Sequence, residues 1–138
     1  MTETRRSILI MPKRHATSGS PYEAAYGFSR GVAAGNRIEI AGTAPIPPDG
    51  EPVADGAYEQ MLRCGAIAIA ALEELGATAA EVVRTRMYIT DPADADDIGR
   101  AHRELFGDAA PAATMVVVAA LLDPGWKVEI EVQAAIED

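Results

Sequence analysis

KVEIEVQAAI, Lys127 to Ile136, is the stretch on which the fold turns. Val128, Ile130, Val132, Ala134 and Ile136 share one parity, and Glu129, Glu131 and Gln133 share the other. This two-residue period predicts a strand with one face in a core and the other polar. Just before it, Asp123-Pro124-Gly125 has the composition of a turn, and Met115 to Leu122 is a continuous apolar run. Such a run predicts a strand covered on both faces.

Further back, Glu81 to Thr90 predicts another strand, with Val83, Thr85, Met87 and Ile89 on one side and Val82, Arg84, Arg86 and Tyr88 on the other. Asp91-Pro92 opens a helix, Asp as N-cap and Pro at the first helical position, with Ala95, Ile98, His102 and Leu105 as its stripe and Gly107 as its end. A longer helix runs from an N-cap at Asp55 to about Leu75 and stops at Gly76. Met61, Cys64, Ala68, Leu72 and Leu75 form its buried stripe, while Glu59, Gln60, Arg63, Glu73 and Glu74 populate its ends. Gly42 to Gly56 holds four prolines and three glycines and reads as a long loop of the kind that carries function. Phe28 to Ala33 and Arg37 to Ala41 form a hairpin around Ala34-Gly35-Asn36. Residues 15–27 read mainly as loop, and 1–14 as a tail or an edge strand. The order β-β-α-β-α-β-β predicts one α+β domain over 15–138, a mixed sheet with two helices packed on one face.

With 21 acidic against 12 basic residues the chain carries a net charge of −9, which repels phosphate backbones and disfavours a nucleic-acid partner. Cys64 is alone, so neither a disulfide nor a thiolate metal cluster is available. His15 and His102 have no zinc-ligand spacing, so no metal is expected, and His102 reads as a satisfied, partly buried histidine. No G-x-S-x-G, no G-x-x-x-x-G-K-[ST] and no G-x-G-x-x-G after a strand is present. The apolar run Ile8 to Met11 is too short for a signal core or a membrane span, so no membrane partner and a cytoplasmic location are expected.

What remains is the polar sheet face. Arg30, Arg84, Arg86, Tyr88, Glu129 and Glu131 all sit at polar strand parities. They are either a solvated face tied by cross-strand pairs or a site at a subunit interface. Two helices hardly cover both faces of such a sheet, so an oligomer is expected.

The segments SGSPYE, YGFSRGVAAGNRIEIAG, the proline-rich loop, VVRTRMYITD and PAATMVVVAALLDPGWKVEIEVQAAI together resemble the Rid family of YjgF-like imine deaminases, also designated endoribonuclease L-PSP, from about residue 15 to the C-terminus. The closing PA-x-T-M-V-x-V with VEIEV is the most specific part. The resemblance implies a chorismate-mutase-like α+β fold and a homotrimer in which three sheets enclose a barrel and ligand clefts lie between subunits. It also implies cofactor-free hydrolysis of 2-imino and enamine acids, such as 2-aminoacrylate, to 2-keto acids and ammonia. In that scheme Glu129 holds the attacking water, and the backbone around Ala113 and Met115 orients the substrate.

The match is partial. The arginine that grips the substrate carboxylate in the family falls at Ala113, which has neither charge nor donor. The hydroxyl-bearing aromatic falls at Phe28, with Tyr26 two residues away, and the small hydroxyl falls at Ala41. Arg86 and Arg30, with Tyr88 on the same polar face, are the candidate replacement cations for a small carboxylated metabolite, Arg86 foremost; a cross-strand pair of Arg86 with Glu129 or Glu131 that holds the barrel is the equal alternative. Two functions stay open: a deaminase or hydrolase working through Glu129, and a non-catalytic ligand-binding or regulatory trimer using the same cleft. RNA cleavage fits the acidic charge poorly.

Overall fold

The computed structural model describes residues 12–137. Six strands form one mixed sheet: β1 Arg14–Ala16, β2 Gly31–Ala34, β3 Arg37–Thr43, β4 Val82–Ile89, β5 Ala112–Val117 and β6 Val128–Ala135. Three helices accompany them: α1 Pro21–Tyr26, α2 Ala57–Glu74 and α3 Ala95–Phe106. The spatial order is β1-β2-β3-β6-β4-β5. Every pairing is antiparallel except β4 with β5, which α3 joins as a parallel crossover.

The alternation in β6 makes it the centre of the sheet. Val128, Ile130, Val132 and Ala134 are buried against Met61, Cys64, Ala68 and Leu72 of α2, in one core shared with Ile98, Ala101 and Phe106 of α3. Each fully buried branched side chain there contributes about 1.5–3 kcal/mol. The two helices approach closely at Gly65, where a Cβ would strike the Leu105 side chain. The α+β class and the helices on one face are as the sequence predicts.

Several expectations are corrected. Residues 15–27 hold α1 rather than loop alone: Ser20 caps it through Tyr22 N–H, Pro21 starts it and Gly27 ends it at φ 78°. Of the stretch 1–14, residues 1–11 lie outside the described residues, and Arg14 opens the edge strand β1. The N-cap of α2 is Gly56, not Asp55, and its side of the helix start carries no side-chain cap. The apolar run at 115–122 is not a doubly covered strand. β5 begins earlier, ends at Val117 and lies at the sheet edge with Val116 and Val117 exposed. Val83 is exposed and Val82 buried because β4 gains a residue against β6 between Val82 and Arg84.

A second bulge matters more. Between Ile40 and Thr43, β3 runs three residues while β6 runs two, so the strand continues past Ala41 and Thr43 returns to the buried side. The bulged backbone meets Arg30, which is buried rather than displayed on a solvated face. Its Nε donates to Glu23 Oε2 at 3.3 Å and its Nη1 to the Gly42 carbonyl and to Thr43 Oγ1 at 3.1 Å. Only 6% of either side chain of the Arg30–Glu23 pair is exposed. This pair holds α1 onto the end of the sheet. Gln60 does comparable work for the 54–56 and 123–127 loops, donating to Ala54 O and Gly125 O and accepting from Lys127 N–H.

Burial pushes the Glu23 carboxyl up, but hydrogen bonds from the Ser18 hydroxyl and N–H and the charge of Arg30 outweigh it and hold it below the usual range. A carboxyl lowered on folding stabilises above its unfolded pKa and loses that contribution as pH falls through the folded one. Glu23→Gln, which leaves Arg30 buried without its counter-charge, is expected to cost about 2–3 kcal/mol in urea unfolding at pH 7. The gap to wild type should narrow as the pH falls below about 4.3, the unfolded glutamate value. A gap that is constant with pH would show that the charge pair is not its source.

Candidate functional site

Four pieces of chain converge beyond the ends of β3 and β6. The α1 segment supplies Ser18 to Tyr22 and Tyr26, the sheet end supplies Arg30, Gly42, Thr43 and Glu129, the proline-rich loop supplies Ile46 to Asp49, and α2 supplies Arg63 and Ile67. They enclose a cavity of about 480 Å³ that Phe28, Leu122 and Trp126 complete. This volume lies within the range of pockets that take small organic ligands. The proline-rich loop thus forms part of the cavity wall.

Glu129 sits at the start of β6, half-buried, on the cavity wall. Its position depends on Gly42, where a Cβ would strike Glu129 Oε2. Only glycine lets the bulged backbone lie against the carboxyl. Burial raises the Glu129 pKa, and the charge of Arg30, which lowers it, does not cancel the effect; Glu131 adds to the rise. The carboxyl therefore holds its proton to higher pH than an ordinary glutamate.

The aromatic side chains collect here. Tyr22, Tyr26, Phe28 and Trp126, four of the seven aromatic residues in the chain, line this one cavity. Tyr22 meets Trp126 edge-on with ring centroids 6.4 Å apart, and Arg30 lies over Phe28 at 5.4 Å. Phe28 and the nearby Tyr26 both line the cavity. At Ala41, where the family pattern has a hydroxyl, there is none; Thr43, two residues later, donates from Oγ1 to Ala41 O at 2.7 Å and accepts from Arg30.

The remaining predicted residues lie elsewhere in the chain. Arg86 donates to Gln133 Oε1 at 3.3 Å and makes no ion pair with Glu129 or Glu131. Tyr88 donates to Glu131, and that bond keeps its phenol protonated to higher pH than usual. Ala113 and Met115 pair with Thr85 and Met87 on the edge strand, two strands and about 10 Å from β6. None of these four lines the cavity of a single chain.

Sequence reasoning misses one cation that does. Arg63, read as a helix-end residue, reaches the cavity from the first half of α2, and its Nε donates to the Ile46 carbonyl at 2.6 Å. Its signal is only a basic residue opposite a proline-rich loop. His102 is satisfied as expected, its Nε2 2.7 Å from Thr85 Oγ1, and burial lowers its pKa. Cys64 is fully buried and its thiol is pushed far up by burial. Among the described residues no three His, Cys, Asp or Glu side chains converge as a metal site, and no helix is long and apolar enough to cross a membrane.

Known proteins share this fold. An uncharacterized protein of Streptomyces coelicolor is 39% identical over 126 residues, 88% of this chain and 90% of its own length. The crystal structure of a YjgF family member from Mycobacterium tuberculosis superposes with a TM-score of 0.83 at 37% identity, covering 91% of this chain and all of that one. A Rid family protein of unknown function from Yersinia pestis superposes at 0.78 with 26% identity, over 91% of this chain and the whole of that one. The sequence model described as endoribonuclease L-PSP matches residues 18–136. The chain belongs to that endoribonuclease L-PSP family, the YjgF or Rid proteins.

Proposed function

We propose that the cavity binds a small carboxylated imine, enamine or amino-substituted acid and hydrolyses it, with Glu129 as general base. The observation that carries this reading is a half-buried carboxyl with a raised pKa on a cavity wall, its oxygens held by no hydrogen-bond donor among the described residues. Such a group takes a proton from water more readily than an ordinary glutamate does. In a 2-imino acid, the water oxygen bonds to C2 as Glu129 takes its proton. The C=N electron pair moves to nitrogen, which takes that proton from Glu129 to give the carbinolamine. Glu129 then takes the carbinolamine hydroxyl proton and passes it to nitrogen as the C=O forms and the C–N bond breaks, releasing ammonia and leaving a 2-keto acid with Glu129 ionised again. No cofactor enters this balance. A cytoplasmic protein fits such chemistry.

The working unit is a homotrimer with barrel-facing sheets. Support comes from β5, whose edge displays Val117 at 54% exposure, and from Leu122 at 75%, both uncovered in one chain. Because β5 lies two strands away from β6 in the sheet order, Ala113 and Met115 reach a Glu129 cavity only from a second copy. Arg86 and Tyr88 belong with the barrel-facing side of the same assembly. Ala113 also favours a second reading, a non-catalytic ligand-binding trimer using the same cavity, since the clamp that the family places there is missing. RNA cleavage, which the family designation suggests, is disfavoured by a net charge of −9.

Ammonia release from freshly generated 2-iminopropionate and 2-aminoacrylate separates the readings. Turnover that falls about 100-fold or more in Glu129→Gln is expected. Since the base must be ionised, the rate should rise with pH, with its midpoint above the ordinary glutamate range. Wild-type protein without turnover on any imino acid would leave the binding reading in place. Light scattering should give three times the chain mass of 14.5 kDa, and a monomer would remove the shared cleft.

A further inference from the structure

We infer that Arg63 is the carboxylate-binding cation of this cavity and that its preferred ligand is a 2-keto or 2-imino acid bearing an aromatic side chain. The inference rests on the cavity reading above and deepens it. Two arginines line the cavity, and they are not equivalent. Arg30 is buried and already committed to Glu23, Gly42 and Thr43 through Nε and Nη1, so its charge is balanced and only Nη2 is left over. Arg63 is half-exposed, has no acidic partner within 4.0 Å among the described residues, and uses only Nε, on the Ile46 carbonyl. That bond fixes the guanidinium plane and leaves both terminal nitrogens for a ligand. A planar fork held in this way suits two-pronged capture of a carboxylate.

The aromatic wall of the same cavity sets what the carboxylate is attached to. Tyr22 and Trp126 stand edge to face and Phe28 is part of the same lining, so an apolar planar group finds aromatic surfaces there. A three-carbon acid would leave this wall and most of the 480 Å³ unfilled. Arg63 on α2 and the rings on α1 and the 123–127 turn thus give one lining a cation and aromatic surface, with Glu129 part of the same lining. The cation is relocated from the β5 position to a helix that packs on the proline-rich loop.

Calorimetric titration with phenylpyruvate, pyruvate and phenylacetone tests both the cation and the aromatic surface on the intact protein. Phenylpyruvate should bind at least about 10-fold more tightly than pyruvate, which lacks the ring, or phenylacetone, which lacks the carboxylate. Arg63→Gln, whose amide can still donate to Ile46 O, should weaken phenylpyruvate by about 10- to 100-fold and leave phenylacetone within about 2-fold. Arg63→Lys should recover part of the loss. Equal weakening of both ligands would assign Arg63 a merely structural role and overturn the inference. So would wild-type affinity for phenylpyruvate in Arg63→Gln, equal affinity of the wild type for pyruvate, or no wild-type binding of phenylpyruvate. Binding is read without turnover: Arg63-dependent affinity with no ammonia release from imines would sink hydrolysis while sustaining this assignment.

Discussion

A guanidinium can be buried only if partners surround it, and the arrangement of partners around Arg30 governs one end of this molecule. Glu23 comes from α1, the Gly42 carbonyl and the Thr43 hydroxyl from the bulged end of β3. Satisfying the arginine therefore draws a short helix over the sheet and fixes where the bulge points. A helix of six residues has little stability of its own, so its place depends on this anchor. The same bulge presents Gly42 to Glu129 with no Cβ between them. The cavity is what lies between the anchored helix, the bulge and the proline-rich loop.

Charge is distributed around that cavity unequally. Glu23 and Arg30 neutralise each other, and Ser18 completes the shell around the carboxylate. Glu129 has no such partner; it feels Arg30 only as a charge and Glu131 as a repulsion. Two glutamates near one arginine are thus driven in opposite directions, one held ionised and the other held toward its neutral form. Separation of that kind is how a fold assigns structural and chemical roles to identical side chains.

Much of this was legible in the sequence. The alternation of β6 marks both the core and the polar face because a period of two leaves each residue only two choices. The stripes of α2 and α3 are equally plain, as is Glu129. What escaped depends on context that no period carries. Ser20-Pro21 caps a helix too short to show a stripe, and without α1 over it Arg30 reads as a solvated strand residue. The bulges at Val83 and at Ala41–Gly42 each add a residue that breaks the parity on which the reading relies. The run at 115–122 is apolar enough for a central strand, yet among the described residues its first part forms an exposed edge, because apolar composition does not say which strands lie on either side. Arg63 was visible only as a charge on a helix; its contact with Ile46 comes from how the proline-rich loop folds back.

The central claim is that Glu129 is a half-buried general base whose proton affinity the cavity has raised. Titrating the side-chain carboxyl carbons of the glutamates by NMR, with Glu129→Gln to assign the signal, tests it most directly. A Glu129 midpoint above the ordinary glutamate value of about 4.3 is the predicted result. A midpoint at or below that value would contradict the account, for the carboxylate would then be an ordinary solvated or ion-paired group.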